Sequence, residues 1–424
     1  MKVHVYGNVL NNAYNLTGFL RAKGIDAEMF LDNSSSSQQD YPWWEDATLS
    51  ATHLPDWIHY YPIRPNFLFP QKEIKEMISD FSTCDVALVC GWGPILCRKA
   101  NVPFFYYSVG SDLIITDLFE NLISAFRNLM KFKMPRGLRS LLLFGRMQKN
   151  AICKADRVGI LMGYQVNPYI KPLGLLDGMK KIRLAWDIER YNTERNNVLW
   201  DKYKKYEVVY FMFARHSWKS VWNDIKGNDK FIRAFARVVK EKNPNILLVM
   251  VDKGGDVQES KKIVNDLGIQ DHVEWIKEMN KDGIRAYNSL DNVVVVDQFW
   301  HDKWFIRYPS DKAKPRIGFG SGSIEALSAK RPLITVFFDE DFYDGNHPPI
   351  LSAFTEEEIY KRIKESLAMG EEGRKQMGIN GYEFVKKYHG WENTIGMYID
   401  ILKEIFQERQ QKKYNLPSNV KRTT

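Results

Sequence analysis

The chain has 424 residues, more than one ordinary hydrophobic core organises and about right for two domains. Hydrophobic residues make up 44% and charged residues 26%, which excludes a disordered or fibrous chain. Lys and Arg number 60 against 52 Asp and Glu, a net charge of +8 that admits an anionic partner without choosing between nucleic acid, lipid headgroups and phosphorylated small molecules.

Aromatic residues reach 13%, with 12 Trp, which suits sugar or base stacking and equally a well-filled core. No apolar run approaches the roughly 18 residues that cross a bilayer. The opening Met1–Gly7 is expected to be a strand ending at a glycine turn rather than a signal peptide. Cys84, Cys90, Cys97 and Cys153 lack CxxC spacing, so they read as small hydrophobes in a reducing compartment, and a cytoplasmic chain is the expectation.

In chain order, Val3–Tyr6 is an apolar strand, followed by a helix carrying Tyr14, Leu16, Phe19 and Leu20 at helical spacing. Strands follow at Asp26–Leu31, Val86–Cys90 (after a helix Glu73–Phe81), Pro103–Val109, Arg157–Leu161 and Lys181–Ala185. A second series takes over after Asp187–Asn192. It comprises strand Glu207–Ala214, helix Asn228–Lys240, strand Ile246–Val251, helix Glu259–Leu267, strand His272–Ile276, helix Lys281–Ser289 and strand Asn292–Val296. A glycine-rich loop Gly318–Gly322, a helix through Ala329 and strand Pro332–Phe338 complete it, and Glu356–Phe406 reads as wholly helical. Strand–helix alternation predicts an α/β fold of two Rossmann-like lobes, each with a doubly wound parallel sheet, facing a cleft that collects the loops beyond the strand C-termini. The expected boundaries are 1–190, 191–390 and a C-terminal helix with a basic tail, 391–424.

The stretch from Gly318 to Thr335 is the most informative. Gly318, Gly320 and Gly322 permit close backbone approach, and the following helix aims free amides at whatever lies before it, an arrangement that favours a diphosphate. Glu325 in the first turn could accept from two ribose hydroxyls; a plain glycine turn with a dipole-favoured Glu gives the same letters. Arg215, after the first strand of the second series, and Lys226-Gly227, at its first helix, could neutralise a diphosphate, although isolated basic residues there are more often solvated surface. Asp112, closing Gly110-Ser111-Asp112, reads equally as a sugar or catalytic contact and as a helix cap. Gly7-Asn8 lacks the full GxGxxG pattern, so no dinucleotide cofactor is inferred.

Together these segments resemble GT-B glycosyltransferases, especially the retaining enzymes of family 4 (glycosyl transferases group 1). Arg215…Lys226-Gly227 with Ala234-Phe235, Gly318–Thr335 and the Trp391-Glu392 segment resemble their phosphate, GFG…EA and final-helix motifs. Gly110-Ser-Asp112, Lys154-Ala-Asp-Arg157 and Asp187-Ile-Glu-Arg-Tyr191 extend the match over nearly the whole chain. The resemblance implies that Arg215 and Lys226 hold a donor diphosphate, with Asp112 beside them as catalytic residues. It implies donor contacts from Gly7, Gly318, Gly320, Ser321, Gly322, Ser323, Ile324 and Glu325, with Lys277 and Met279 facing the base. It implies a final helix crossing back to the first lobe, retention of configuration, no metal and no nicotinamide. Three departures stand out: Ile317 where the family often has a second Glu, Val109 where it often has His, and an insertion His216–Ile225, with Asp112 or His216 available to compensate.

Residues 121–155 carry eight Lys or Arg and no acid, interleaved with Leu, Met and Phe, and residues 409–424 add five more basic residues and no acid. The charge excess therefore lies in one segment and the tail. A basic amphipathic helix of this kind suits the headgroup plane of an anionic membrane, or simply a solvated face over a packed apolar one; no nucleic-acid module is recognisable. The resulting expectation is a metal-independent transferase moving a sugar from a nucleoside-diphosphate sugar to a glycan, polysaccharide or lipid-linked acceptor, at the membrane surface. A catalytically silent two-lobe scaffold and a sugar-nucleotide epimerase are the alternatives.

Overall fold

Runs of Val, Ile, Leu and aromatic residues too short for helices form strands that bury both faces, as all-parallel sheets require. A computed structural model of the chain describes all residues except 36, 68, 109–144, 161–172, 174, 176–178, 220–225, 243, 300–318, 339 and 415–424. The chain divides into two compact units, Met1–Ala185 with Trp391–Thr424, and Trp186–Gly390.

The first unit holds seven strands: β1 (Lys2–Tyr6), β2 (Asp26–Asp32), β3 (Ile58–Tyr61), β4 (Val86–Val89), β5 (Phe104–Ser108), β6 (Arg157–Ile160) and β7 (Met179–Lys181), in the order β3-β2-β1-β4-β5-β6-β7. Every pairing is parallel; Val3, for example, lies between Ala27 of β2 and Val86 of β4. The second unit holds β8 (Val208–Met212), β9 (Ile246–Val251), β10 (Val273–Ile276), β11 (Val293–Val296), β12 (Leu333–Thr335) and β13 (Leu351–Ser352), ordered β10-β9-β8-β11-β12-β13 and again all parallel. In each sheet the strand order reverses once, between β1 and β4 and between β8 and β11. These are the switch points where such sheets open a crevice.

The differences from expectation fall at sheet edges. The strand expected at Lys181–Ala185 is β7, Met179–Lys181, paired with Val158–Ile160; an edge strand has a solvent side and tolerates Lys180 and Lys181, so the apolar letters downstream mislead. Edge strand β3, with His59 and half-buried tyrosines, and the two-residue β13 carry no strong apolar signal and were not anticipated. The expected single helical stretch is three helices, Glu356–Ala368, Gly370–His389 and Trp391–Tyr414, interrupted where Gly370 takes φ +65° and where Gly390 pairs with Trp186. A capping box between Thr355 and Glu358 starts the first of them.

The last helix belongs to the first unit. Ile395, Tyr398, Leu402 and Ile405, spaced to share one helical face, join Val86, Leu88, Phe105 and Tyr107 in one buried cluster. The Trp391 ring stacks on Phe19 at 5.1 Å, and the Tyr398 hydroxyl donates to the Arg183 carbonyl at 2.9 Å. Arg157 pairs with Glu408, and Arg409 with Asp156 at 3.1 Å. Leu402→Ala is expected to cost about 2–5 kcal/mol of first-unit stability through the cavity it leaves. Denaturant unfolding followed by Trp fluorescence measures this.

Candidate functional site

In the second unit the loops after β8, β9 and β11 leave the sheet at its switch point. The β8 loop is tied to the β9 loop: the His216 N–H donates to the Lys253 carbonyl at 2.7 Å, and the Asp256 N–H to the His216 carbonyl at 3.1 Å. Gly254, at φ +115°, makes this approach possible, since a Cβ there would lie 2.3 Å from the His216 oxygen. Asp256 accepts from the backbone N–H groups of Trp218 and Lys219 at 2.6 and 2.9 Å. Arg215 stands exposed on this braced loop. His216 beside it is fully enclosed, its Nδ1 at 2.9 Å from Ser260 Oγ and its ring 5.1 Å from that of Trp275; burial lowers its pKa to about 4. It is a neutral packing group and offers no surface for a ligand.

Lys226 is placed by its own backbone, whose N–H donates to Ser217 O at 2.6 Å and whose carbonyl accepts from Phe299 at 2.8 Å. Its ammonium donates to Gln298 Oε1 at 2.6 Å. Gln298 and the preceding Asp297 are the first residues beyond β11, and the glycine loop meets them. Ser323 Oγ donates to Asp297 Oδ2 at 2.6 Å. A Cβ on Gly320 would lie 3.3 Å from Gln298 Nε2, and one on Gly322 would lie 3.2 Å from the Phe213 ring and 3.3 Å from Asp297. Lys226 and the N-terminus of the Ser321–Ser328 helix therefore converge on Asp297-Gln298. Sequence reading did not single out that pair; the only signal was a polar pair directly after the Val293–Val296 run.

Glu325 is fully buried and paired with the ammonium of Lys281, itself 7% exposed at the start of the Lys281–Asn288 helix. Removing either partner of such a pair strands a charge at a cost of about 3–5 kcal/mol, so each residue fixes the other. Lys281 also escaped sequence reading, because a Lys at a helix start normally signals solvent. Ser321 lies on the helix's first turn, partly exposed, and Ile324 faces the core. Lys277 and Met279 follow β10, two strand positions from β8, roughly 10 Å at ~4.8 Å per strand. Lys277 is exposed, while Met279 packs where a Cβ on Gly283 would fall, at 2.8 Å. Gly7 belongs to the first unit, and Asp112 and Gly318 lie outside the described residues. Residues 109 and 317 also lie outside them, as do 220–225 of the insertion. Among the described residues no cluster of His, Cys, Asp and Glu is arranged to hold a metal ion.

Comparison with known proteins matches residues 221–384, within the second unit, to the family described as glycosyl transferases group 1. No curated protein matches the sequence. Among solved structures, Anabaena Alr3699/HepE in complex with UDP-glucose superposes with a TM-score of 0.64 at 15% identity, covering 95% of this chain and 100% of the other. A glycosyltransferase from Rickettsia africae gives 0.63 at 12%, covering 96% and 99%. WaaG, a glycosyltransferase involved in lipopolysaccharide biosynthesis, gives 0.57 at 13%, covering 94% and 99%. At these identities the likeness establishes the fold. The chain has the two-sheet α/β architecture of GT-B glycosyltransferases, as the motifs led one to expect.

His216 and His4, whose pKa values burial lowers from 6.5 to about 4, set a pH dependence. Between those values the unfolded chain binds the extra protons, so stability is expected to fall as pH drops from about 6.5 towards 4, by up to roughly 3 kcal/mol per histidine. Unfolding free energies measured across this window, with His216→Asn showing a shallower slope than the parent, check it.

Proposed function

We propose that the chain is a glycosyltransferase that moves a sugar from a nucleoside-diphosphate sugar to an acceptor hydroxyl. The observation that carries this is the meeting of Lys226 with the N-terminus of the Ser321–Ser328 helix at the β8/β11 switch point, with exposed Arg215 on the loop whose Ser217 carbonyl accepts from the Lys226 N–H. The amides and dipole of that helix, with two basic side chains, suit the negative charge that grows on a departing diphosphate. HepE is bound to UDP-glucose, which makes a UDP donor the first to test. Following the resemblance, the ribose lies at the Glu325 end of the helix, Glu325 itself being buried against Lys281, and the base extends past β9 towards Lys277 and Met279. The diphosphate charge is met by Arg215, Lys226 and amides rather than by a metal ion, and no nicotinamide takes part. Following the resemblance, transfer retains anomeric configuration, and the acceptor is a glycan, polysaccharide or lipid-linked saccharide.

Arg215→Ala and Lys226→Ala are each expected to weaken UDP binding about 10–100-fold, the loss of one charge-assisted contact, with melting temperature little changed. Calorimetry with UDP, GDP and ADP measures binding, and product analysis with the matching sugar donors follows turnover in EDTA. No binding of any nucleotide by the parent chain, or unaltered binding by both variants, sinks the reading. Ile317, in place of the family's frequent Glu, favours the silent scaffold; nucleotide binding with neither transfer nor donor hydrolysis would identify it.

The basic segment 121–155 is assigned in the same reading to an anionic membrane surface, where an acceptor lipid would lie. Residues 121–144 are outside the described part, and among the described residues no helix is long and apolar enough to cross a membrane. Co-sedimentation with phosphatidylglycerol vesicles, lost at high salt and with neutral vesicles, is the expected result. Equal recovery with both vesicle types would remove the assignment.

A further inference from the structure

In the first unit, the loops after β1, β2 and β4 line a half-open cleft of about 80 Å³. It sits at this sheet's own switch point, where β1 pairs with β2 on one side and β4 on the other. Gly7 allows it: at φ +96° a Cβ there would lie 2.5 Å from the Cys90 carbonyl, so the ends of β1 and β4 close together and the next residues turn aside to leave space. Tyr41 and Trp92 form part of the wall, and Asp32, Asp40, Asn8 and Ser35 the polar part.

These polar groups are held in place. Asp32, 6% exposed, accepts from the Ser34 N–H at 2.7 Å and from the Tyr6 hydroxyl. Asp40 accepts from the Leu10 N–H at 2.7 Å through one oxygen and from Ser35 Oγ at 2.5 Å through the other. Asn8 donates to the Asp40 carbonyl at 2.7 Å. An ionised carboxylate offers about four acceptor sites, so each retains capacity for a ligand donor. Among the described residues the lining includes no Lys, Arg or His. Exposed Arg64 acts on the Tyr41 hydroxyl electrostatically but is not part of the wall.

We propose that this pocket binds a non-anionic, hydroxyl-bearing group, a neutral or aminated saccharide end, and rejects phosphate and carboxylate groups. Two fixed carboxylates, with no cationic side chain among the described wall residues, accept from hydroxyl or ammonium donors and repel an anion, while Tyr41 and Trp92 suit the C–H faces of a ring. That the occupant is the transferase acceptor rests on the reading above; the charge selection does not. If both hold, the sugar end entering the first unit is unphosphorylated, and Gly7, which the resemblance assigns to the donor, also borders this pocket.

Saturation-transfer NMR on the full chain, with and without UDP, tests the proposal using glucosamine, methyl glucoside, glucose 6-phosphate and glucuronate. Glucosamine and methyl glucoside are expected to bind and the two anions not. Asp40→Asn is expected to lower the preference for glucosamine over methyl glucoside by roughly ten-fold, the difference between a charged and a neutral acceptor, and Asp32→Asn, where it folds, likewise. Ser35→Trp is expected to block both sugars while the melting temperature holds. Binding of an anionic sugar as tight as its neutral counterpart, no binding of either non-anionic sugar, or unchanged selectivity in a normally melting Asp40→Asn overturns it. Binding of UDP, GDP and ADP recorded on the same sample separates the two ideas: saccharide binding with none of the three nucleotides bound leaves the pocket standing and removes the transferase reading.

Discussion

A parallel strand buried on both faces can offer polar chemistry only beyond its ends, and that constraint governs both units. Val86–Val89 and Val293–Val296 have essentially no exposed surface. Loops that leave the strand C-termini are the places where backbone groups and polar side chains escape that apolar environment. Where the strand order reverses, neighbouring loops diverge and a crevice opens. The described polar clusters follow this geometry: Lys226, Asp297-Gln298 and the glycine loop at β8/β11, and Asp32, Asp40 and Asn8 around β1/β4.

Polar groups gathered at such a point are costly unless they satisfy one another. Lys281 and Glu325 are both buried, and their pairing offsets a desolvation penalty of several kcal/mol per ion. Asp297, 8% exposed, lies close to the glycine loop and takes a hydrogen bond from Ser323. Asp256 ties down the β8 loop, and His216 fills the space behind it as a neutral ring whose proton affinity burial has reduced. The result is a preorganised edge in which basic Arg215 stays exposed while its surroundings are fixed.

Much of the architecture was legible in the letters. Central strands announced themselves as short apolar runs, and helices such as Asn228–Lys242 by the spacing of Phe231, Phe235 and Val238. Legibility failed at the edges, where β3, β7 and β13 have a solvent side and therefore polar or aromatic residues that no periodicity marks. It failed also at helix breaks: Gly370 and Gly390 interrupt an otherwise continuous helical pattern through backbone conformation and pairing, not through a change in hydrophobicity.

The candidate site shows the same division. Arg215, Lys226, Gly320, Gly322 and Glu325 could be proposed from sequence because each is local: a residue type at a fixed distance from a strand or helix end. Their partners could not. Lys226 meets Gln298 across 72 positions, Lys281 meets Glu325 across 44, and Ser323 meets Asp297 across 26. Pairings between distant positions are set by strand order, and strand order is fixed by how the whole apolar core packs. Length, alternation and charge by themselves determined two α/β lobes and a charge excess confined to one segment and the tail, and the letters marked the glycine-rich loop. Only the tertiary structure decided that Glu325 is buried against a lysine, that Asp297-Gln298 joins the glycine loop to Lys226, and that the first unit's pocket is walled by carboxylates. Side chains acquire an electrostatic environment only once the sheets have brought their loops together.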